Sequence, residues 1–366
     1  MHASRRCGVG LNFTVLITGV CGFVGASVAR TLLDIEPSLQ IKGIDNLART
    51  GSALNWQPLQ SRGVRLFHGD LRVASDLAAV GPCDWVIDAA ALPSVVAGVD
   101  GRNSGRQVVE TNLMGTLNLL EHCASHRSGL ILLSTSRVYS IAELKRLPLE
   151  IDDNAFHLEP NVSIAGASTE GISEAFSTQA PISLYGATKL ASETMALEYG
   201  LAYRFPVWIN RCGVLAGAGQ FGRIDQGIFA FWINSHLRRK PLKYIGFGGQ
   251  GTQVRDCLHP QDLARLLYLQ MTEGVRPDRS PVMNVGGGIE SAISLRQLTQ
   301  WCDDRFGPHT IEASDETRPF DLPWIVLDSS RAKDQWDWQP QVSVSQILDE
   351  IAAHATANSN WLESST

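Results

Sequence analysis

Cysteine is scarce and scattered: seven residues in 366, with no C-x-x-C pair and no zinc-like spacing. An odd, dispersed set argues against a complete disulfide framework and offers no metal site, so a reducing cytoplasm is the simplest setting. Long apolar runs are absent too. None reaches the roughly 18 residues that a membrane span requires, so no membrane association is expected. Positive charge is not in excess, since 31 Lys and Arg face 37 Asp and Glu for a net charge of −6. That balance gives no basic footprint for nucleic acid, and an anionic small molecule would have to be met by local arginines. The opening Met1-His-Ala-Ser-Arg-Arg-Cys lacks an apolar segment behind its paired arginines, so residues 1–12 read as a short disordered lead rather than a signal peptide. No internal period points to a repeat architecture.

What the chain does contain is a series of short apolar runs alternating with helical patterns. Candidate strands lie at 13–18, 40–45, 64–67, 84–89, 129–134 and 206–210, with a further one at 282–285. Such alternation predicts an α/β fold, a Rossmann-type doubly wound parallel sheet with helices on both faces. The first run, Phe13-Thr-Val-Leu-Ile-Thr18, leads into Gly19-Val-Cys-Gly22-Phe23-Val24-Gly25 and then a helical pattern from Ala26 to Leu33. Strand, glycine turn and helix in that order make a dinucleotide-binding arrangement, because the turn lets backbone approach a pyrophosphate and the helix N-terminus faces it. The spacing is G-x-x-G-x-x-G. The second strand ends in Asp45, twenty positions after Gly25 (45 − 25). An acid there accepts ribose hydroxyls and repels a 2′-phosphate, which favours NAD over NADP. Arg49 nearby could partly offset that preference. Cys21, inside the loop, reads as a small filler.

The stretch Tyr185-Gly-Ala-Thr-Lys189 lies in a predicted helix over 183–200. Four residues apart, the phenol and the ammonium share one face, one turn from each other. A phenol ionises near pH ~10 and is a poor base at neutrality, and a neighbouring ammonium lowers that value. Alone, the pair also fits an ordinary amphipathic helix.

Together, the glycine fingerprint and the Tyr/Lys pair resemble the extended short-chain dehydrogenase/reductase superfamily, its nucleotide-sugar epimerases and dehydratases. Further matches follow in the family's order: Gly69-Asp70-Leu71, Asp88-Ala89-Ala90-Ala91, Thr111-Asn112, and Ser134-Thr135-Ser136-Arg-Val-Tyr139. The resemblance implies NAD as cofactor, held by Gly19, Gly22, Phe23, Val24, Gly25, Asp45, Asn46, Arg49, Asp70, Leu71, Ala89, Ala90, Ala91, Asn112, Tyr185 and Lys189. It implies Thr135, Tyr185 and Lys189 as catalytic residues, with Ser134 and Ser136 as neighbours that an alignment slip could substitute. Two segments, Asp45 to Trp56 and Arg211 to Gly227, look like those of CDP-paratose 2-epimerases. Val214 and Ala216 stand where most sugar epimerases carry Asn and Tyr, which favours that subgroup over a 4-epimerase. Substrate ligands implied are Thr135, Arg211, Gln226, Arg255 and Arg318, the last two for the pyrophosphate, since a guanidinium fork matches phosphate oxygens.

The implied architecture is a nucleotide-binding domain, 13–205 plus roughly 245–270, and a smaller, discontinuous substrate domain, roughly 206–244 and 271–360. A polar stretch of 46 positions separates Tyr139 from Tyr185 (185 − 139). Length alone allows a lid over the sugar, with Glu174 or Ser183 touching it, or a mobile surface excursion. The implied activity is NAD-dependent epimerisation of a nucleotide sugar, CDP-linked and inverted at C2, by a homodimer or higher homo-oligomer. The alternatives are a UDP- or dTDP-hexose 4-epimerase or 4,6-dehydratase, and a non-catalytic NAD-binding sensor. Ser136-Arg137 after Thr135, in place of an acidic pair, disfavours dehydration.

Overall fold

A computed structural model describes residues 13–364, apart from 100, 102, 224, 225, 275 and 315. The lead expected at 1–12 lies outside them. Seven strands form the central sheet: β1 Thr14–Thr18, β2 Gln40–Asp45, β3 Arg65–His68, β4 Trp85–Asp88, β5 Gly129–Thr135, β6 Val207–Cys212 and β7 Val282–Val285. All neighbours are parallel, in the order β7-β6-β5-β4-β1-β2-β3. The order reverses between β1 and β4, and the ends of those strands open the crevice where doubly wound folds bind ligands. Every residue of β6, and all but the last of β5, is buried, which explains why those segments read as continuous apolar runs rather than alternating ones.

Helices cover both faces. On one side α1, Phe23–Ile35, buries Ala26, Val28, Ala29 and Leu32 at helical spacing against the sheet. On the other, α2, Gly115–His126, buries Leu119, Leu120 and Cys123, and α3, Ser183–Tyr203, adds Ala196 to the same core. The buried stripe of α3 is otherwise polar: Tyr185, Thr188, Lys189, Ser192 and Glu193. A helix that turns such residues inward must satisfy them internally.

The second part is built around a small mixed sheet of Val214–Leu215, Val254–Leu258, Ala292–Ser294 and Trp324–Ile325. Helices Ile228–Leu237, Leu295–Phe306 and Val344–Ala357 bury a shared core beside it. The expected boundaries need adjustment. β6 and β7 lie in the central sheet although 206–244 and 271–360 were expected in the substrate part. Conversely, Val254–Leu258 belongs to the small sheet, whereas α4, Pro260–Thr272, shares a core with α1. Strand pairing, not sequence order, decides these memberships.

The long stretch between Tyr139 and Tyr185 is folded rather than a loose excursion. It forms a hairpin of Leu149–Asp152 with Ala155–Leu158, and Phe156 N donates to Thr252 O at 3.0 Å. Leu144, Leu158, Ile172 and Phe176 share a core with Trp324 and Leu327. The two residues singled out in it are occupied there: Glu174 accepts from Asn284 N at 2.7 Å, and Ser183 Oγ accepts from Gly186 N at 3.2 Å.

Candidate active site

The glycine loop follows from close approach. Gly19 has φ +58°, and a Cβ on it would lie 2.9 Å from Ala90 Cα at the end of β4. Gly25 sits against the carbonyl of Gly19, again with no room for a side chain. Thr18 Oγ1 accepts from Ala89 N (3.0 Å) and Ala90 N (3.1 Å) and donates to Asp88 (2.9 Å), locking the ends of β1 and β4 together. Phe23 and Val24 open α1, whose N-cap, Gly22, places no side chain on the first-turn N–H groups. This cradle fits a dinucleotide pyrophosphate.

Asp45 accepts from Cys21 N (2.9 Å) and Leu47 N (2.8 Å), while Asn55 Nδ2 donates to Cys21 O (2.9 Å). The peptide of Cys21 is thus bracketed by the two ends of the 45–56 segment. Burial raises the Asp45 pKa against those hydrogen bonds. Asn46 Nδ2 reaches Asp70 at 3.1 Å, and the Arg72 guanidinium holds the Asp70 carboxyl well below the usual range. Leu71 packs on Gly115, its carbonyl accepting from Asn118 Nδ2 at 2.7 Å. Asn112 sits in a single π-turn, Glu110–Met114, within a longer helical run; such turns often mark functional positions. Its amide accepts from Leu92 N (2.7 Å) and donates to Thr188 Oγ1 (3.2 Å), tying the loop after β4 to α3.

Thr135, at the end of β5, lies beside Tyr185, and its hydroxyl acts to lower the pKa of that phenol. The Ser134 hydroxyl is committed to Glu193, so of these two hydroxyls it is Thr135 that acts on the phenol. Burial pushes the phenol up to about 12, opposed by the Thr135 bond and the charge of Arg137. Lys189 is 2% exposed, and burial lowers its pKa while Asp88 and Glu193 pull it back up. For the phenol itself, burial outweighs the Thr135 hydroxyl and the charge of Arg137.

Arg211 is the clearest departure from expectation. Its Nε contacts both Glu193 oxygens at 3.1 Å, its Nη2 donates to Glu193 Oε2 at 2.7 Å, and its Nη1 lies 3.4 Å from Tyr139 Oη. A buried carboxylate has taken the donors foreseen for substrate. Arg49 and Gln226 meet each other, Nη1 to Oε1 at 2.9 Å, and Arg49 Nη2 donates to Phe221 O. The two segments with subgroup resemblance are therefore in direct contact, and Gly217 packs beside Phe23 on the glycine loop. Arg255 donates to Asp321 (3.1 Å) and Val254 O (2.7 Å). Arg318 lines a cavity of about 170 Å³ with Ile228, Phe231, Trp232, Gln253 and Leu295.

Sequence reasoning missed Glu193, Asn55 and Asp321 as site-building residues. Glu193 was within reach, since it follows Lys189 by four positions on the same helical face. Asn55 and Asp321 stood inside motifs already singled out, but their partners are 34 and 66 residues away. Among the described residues no cluster of metal ligands occurs, and no helix is long and apolar enough to cross a membrane.

A glycine-looped parallel sheet with a Thr/Tyr/Lys set beside its crevice defines a dinucleotide-dependent enzyme of the short-chain dehydrogenase/reductase type. Residues 15–286 match the family described as "NAD dependent epimerase/dehydratase family", and the chain belongs to it. It is 28% identical over 345 residues to CDP-paratose 2-epimerase of Salmonella typhi, covering 92% of this chain and 97% of that one. It is 30% identical over 358 residues to a "Probable dTDP-glucose 4,6-dehydratase" of Sinorhizobium fredii, covering 95% and 94%. The UDP-glucose 4-epimerase of Thermus thermophilus, solved as its complex with NAD, superposes with a TM-score of 0.74 at 25% identity, covering 94% of this chain and 99% of that one.

Proposed function

We propose that this protein epimerises a nucleotide sugar by transient oxidation and re-reduction, acting at C2 of a CDP-linked hexose. The observation that carries the chemistry is the Thr135–Tyr185 pair, with Lys189 one turn along α3, beside the glycine loop. Bound NAD supplies the hydride acceptor and donor. The residues positioned to hold it are the 19–25 loop, Asp45, Asn46, Asp70, the backbone of Ala89–Ala91, Asn112 and Lys189. Asp45 at the end of β2 supports NAD over NADP, and Arg49 donates to Gln226 and to Phe221 O.

Tyr185 would take the proton of the reacting hydroxyl, a role that requires its phenol to lose the proton that burial favours. Thr135 positions the oxygen. Once the oxidised sugar presents its other face, Tyr185 would return the proton to the oxygen that Thr135 positions. The cavity beside Arg318 has the size and aromatic lining for the base, and Arg255 and Arg318 flank the path of the diphosphate. Anchoring at that end frees the sugar to reorient. The choice of C2 and of cytidine rests on the segments 45–56 and 211–227, which are joined through Arg49 and Gln226. The homodimer that the family resemblance implies is kept as part of this reading.

A 4-epimerase or 4,6-dehydratase is the second reading, favoured by the dTDP- and UDP-sugar relatives. NMR of the purified protein with CDP-, UDP-, GDP- and dTDP-sugars separates the two. Inversion at C2 is expected, and inversion only at C4 would overturn the C2 assignment. Tyr185→Phe should abolish turnover while retaining NAD; full activity in that variant would remove the tyrosine from the mechanism.

A further inference from the structure

Three arginines meet at one turn. Arg318 opens the 318–321 turn, Arg255 Nη2 holds Asp321 Oδ1 at 3.1 Å, and Arg137 Nη1 donates to Phe320 O at 3.4 Å. Arg137 comes from the other side of the cleft. It lies two residues after Thr135, its backbone N donates to Thr135 Oγ1 at 3.2 Å, and its carbonyl packs against Gly186, next to Tyr185. Its guanidinium is half-buried and within the electrostatic reach of Tyr185 on one side and of Arg255 and Asp321 on the other. Burying a cation beside a second cation is costly unless an anion balances them. Among the described residues, Asp321 is the carboxylate that faces both, and Arg255 already occupies one of its oxygens. Asp256 also acts on Arg255, so three arginines face two carboxylates and the cluster keeps an excess of positive charge.

The groups follow one another in a fixed order: apolar cavity, Arg318, Arg255 with Asp321, Arg137, then Tyr185 with Thr135. A nucleotide sugar has the matching order of base, ribose, first phosphate, second phosphate and sugar. We propose that Arg137 is a specificity-determining residue that binds the sugar-side phosphate, and so sets C2, the neighbour of the anomeric carbon, against Tyr185. The inference rests on the nucleotide-sugar reading above. C4 lies across the ring from the anomeric phosphate, so a cation placed between the phenol and the other two arginines suits a short phosphate-to-reaction distance. The same position in a dehydratase would need an acid, and an arginine there replaces proton transfer with anion binding. A planar fork suits phosphate oxygens, whereas a shorter amide can donate only neutral hydrogen bonds.

Isothermal titration of the NAD-loaded protein with CDP and CMP, and with UDP and UMP in parallel, tests this directly. Arg137→Gln and Arg137→Lys are compared with the wild type after checking NAD content and thermal midpoint. The wild type should prefer the diphosphate. Arg137→Gln should lose about tenfold or more of that preference with monophosphate affinity unchanged, and Arg137→Lys should keep part of it. A wild-type diphosphate preference retained in Arg137→Gln overturns the assignment of Arg137 alone. Failure of the wild type to bind any of the nucleotides overturns the nucleotide-sugar reading with it.

Discussion

Replacing Arg211 with Met separates a structural arginine from a substrate ligand. Arg211 and Glu193 form an ion pair at 2.7 Å with side-chain exposures of 9% and 3%. Burial opposes the charge on Arg211, and the contacts with Glu193 more than restore it, raising its pKa. Removing one partner leaves a buried carboxylate behind, which costs about 3–5 kcal/mol. The lower end applies here, since Lys189 lies within the field of Glu193 and retains some compensation. With an unfolding entropy of about 2.1 cal/mol/K per residue, a chain of 366 residues has roughly 0.8 kcal/mol/K in all. The midpoint should therefore fall by about 4 °C in calorimetry, while the Kd for CDP and the KM for the sugar nucleotide stay within about twofold. Pairing the change with Glu193→Leu should return part of the loss, because no buried charge is then left alone. A variant with an unshifted midpoint and a CDP affinity tenfold weaker would show that Arg211 serves the substrate, and would refute this account.

Two further outcomes follow from other contacts. Arg49→Ala removes both the Gln226 and the Phe221 contacts that join the ribose-side segment to the 216–227 loop. It should release NAD at least about tenfold faster, equivalent to about 1.4 kcal/mol, in a displacement assay; unchanged retention would show that the contact does not restrain the cofactor. Asp256 is raised to about 7 by burial, against the pull of backbone N–H groups such as Gly287 N at 2.9 Å. The folded state then binds more protons than the unfolded chain between about pH 4 and 7, so this residue's contribution to stability falls as pH rises through that window. Asp256→Asn should remove that slope in denaturant melts at about pH 4.5 and 8, and an unaltered slope would locate the titration elsewhere.

Much of the site was legible before any fold was known. Gly19 to Gly25, Asp45, and Tyr185 with Lys189 are local patterns, in which backbone geometry and a 3.6-residue period dictate who neighbours whom. The strands of the central sheet were legible for the same reason, each a short apolar run buried on both faces. The destinations of long side chains were not legible. Arg211 was expected at the substrate and lies on Glu193. Arg137 attracted notice only for not being an acid, yet it spans to Phe320 across 183 residues.

The amino-acid sequence by itself determined the glycine cradle, the shared helical face of Tyr185 and Lys189, and the family, because each depends on residues close together in the chain. Tertiary structure alone decided which arginines face the cleft and which are consumed inside. It also decided that the 45–56 and 216–227 segments touch, and that the 140–182 stretch packs into the second core. These outcomes turn on strand order and on pairings across tens to hundreds of residues. There, the cost of burying a charge selects the partner, and sequence spacing carries no record of that choice.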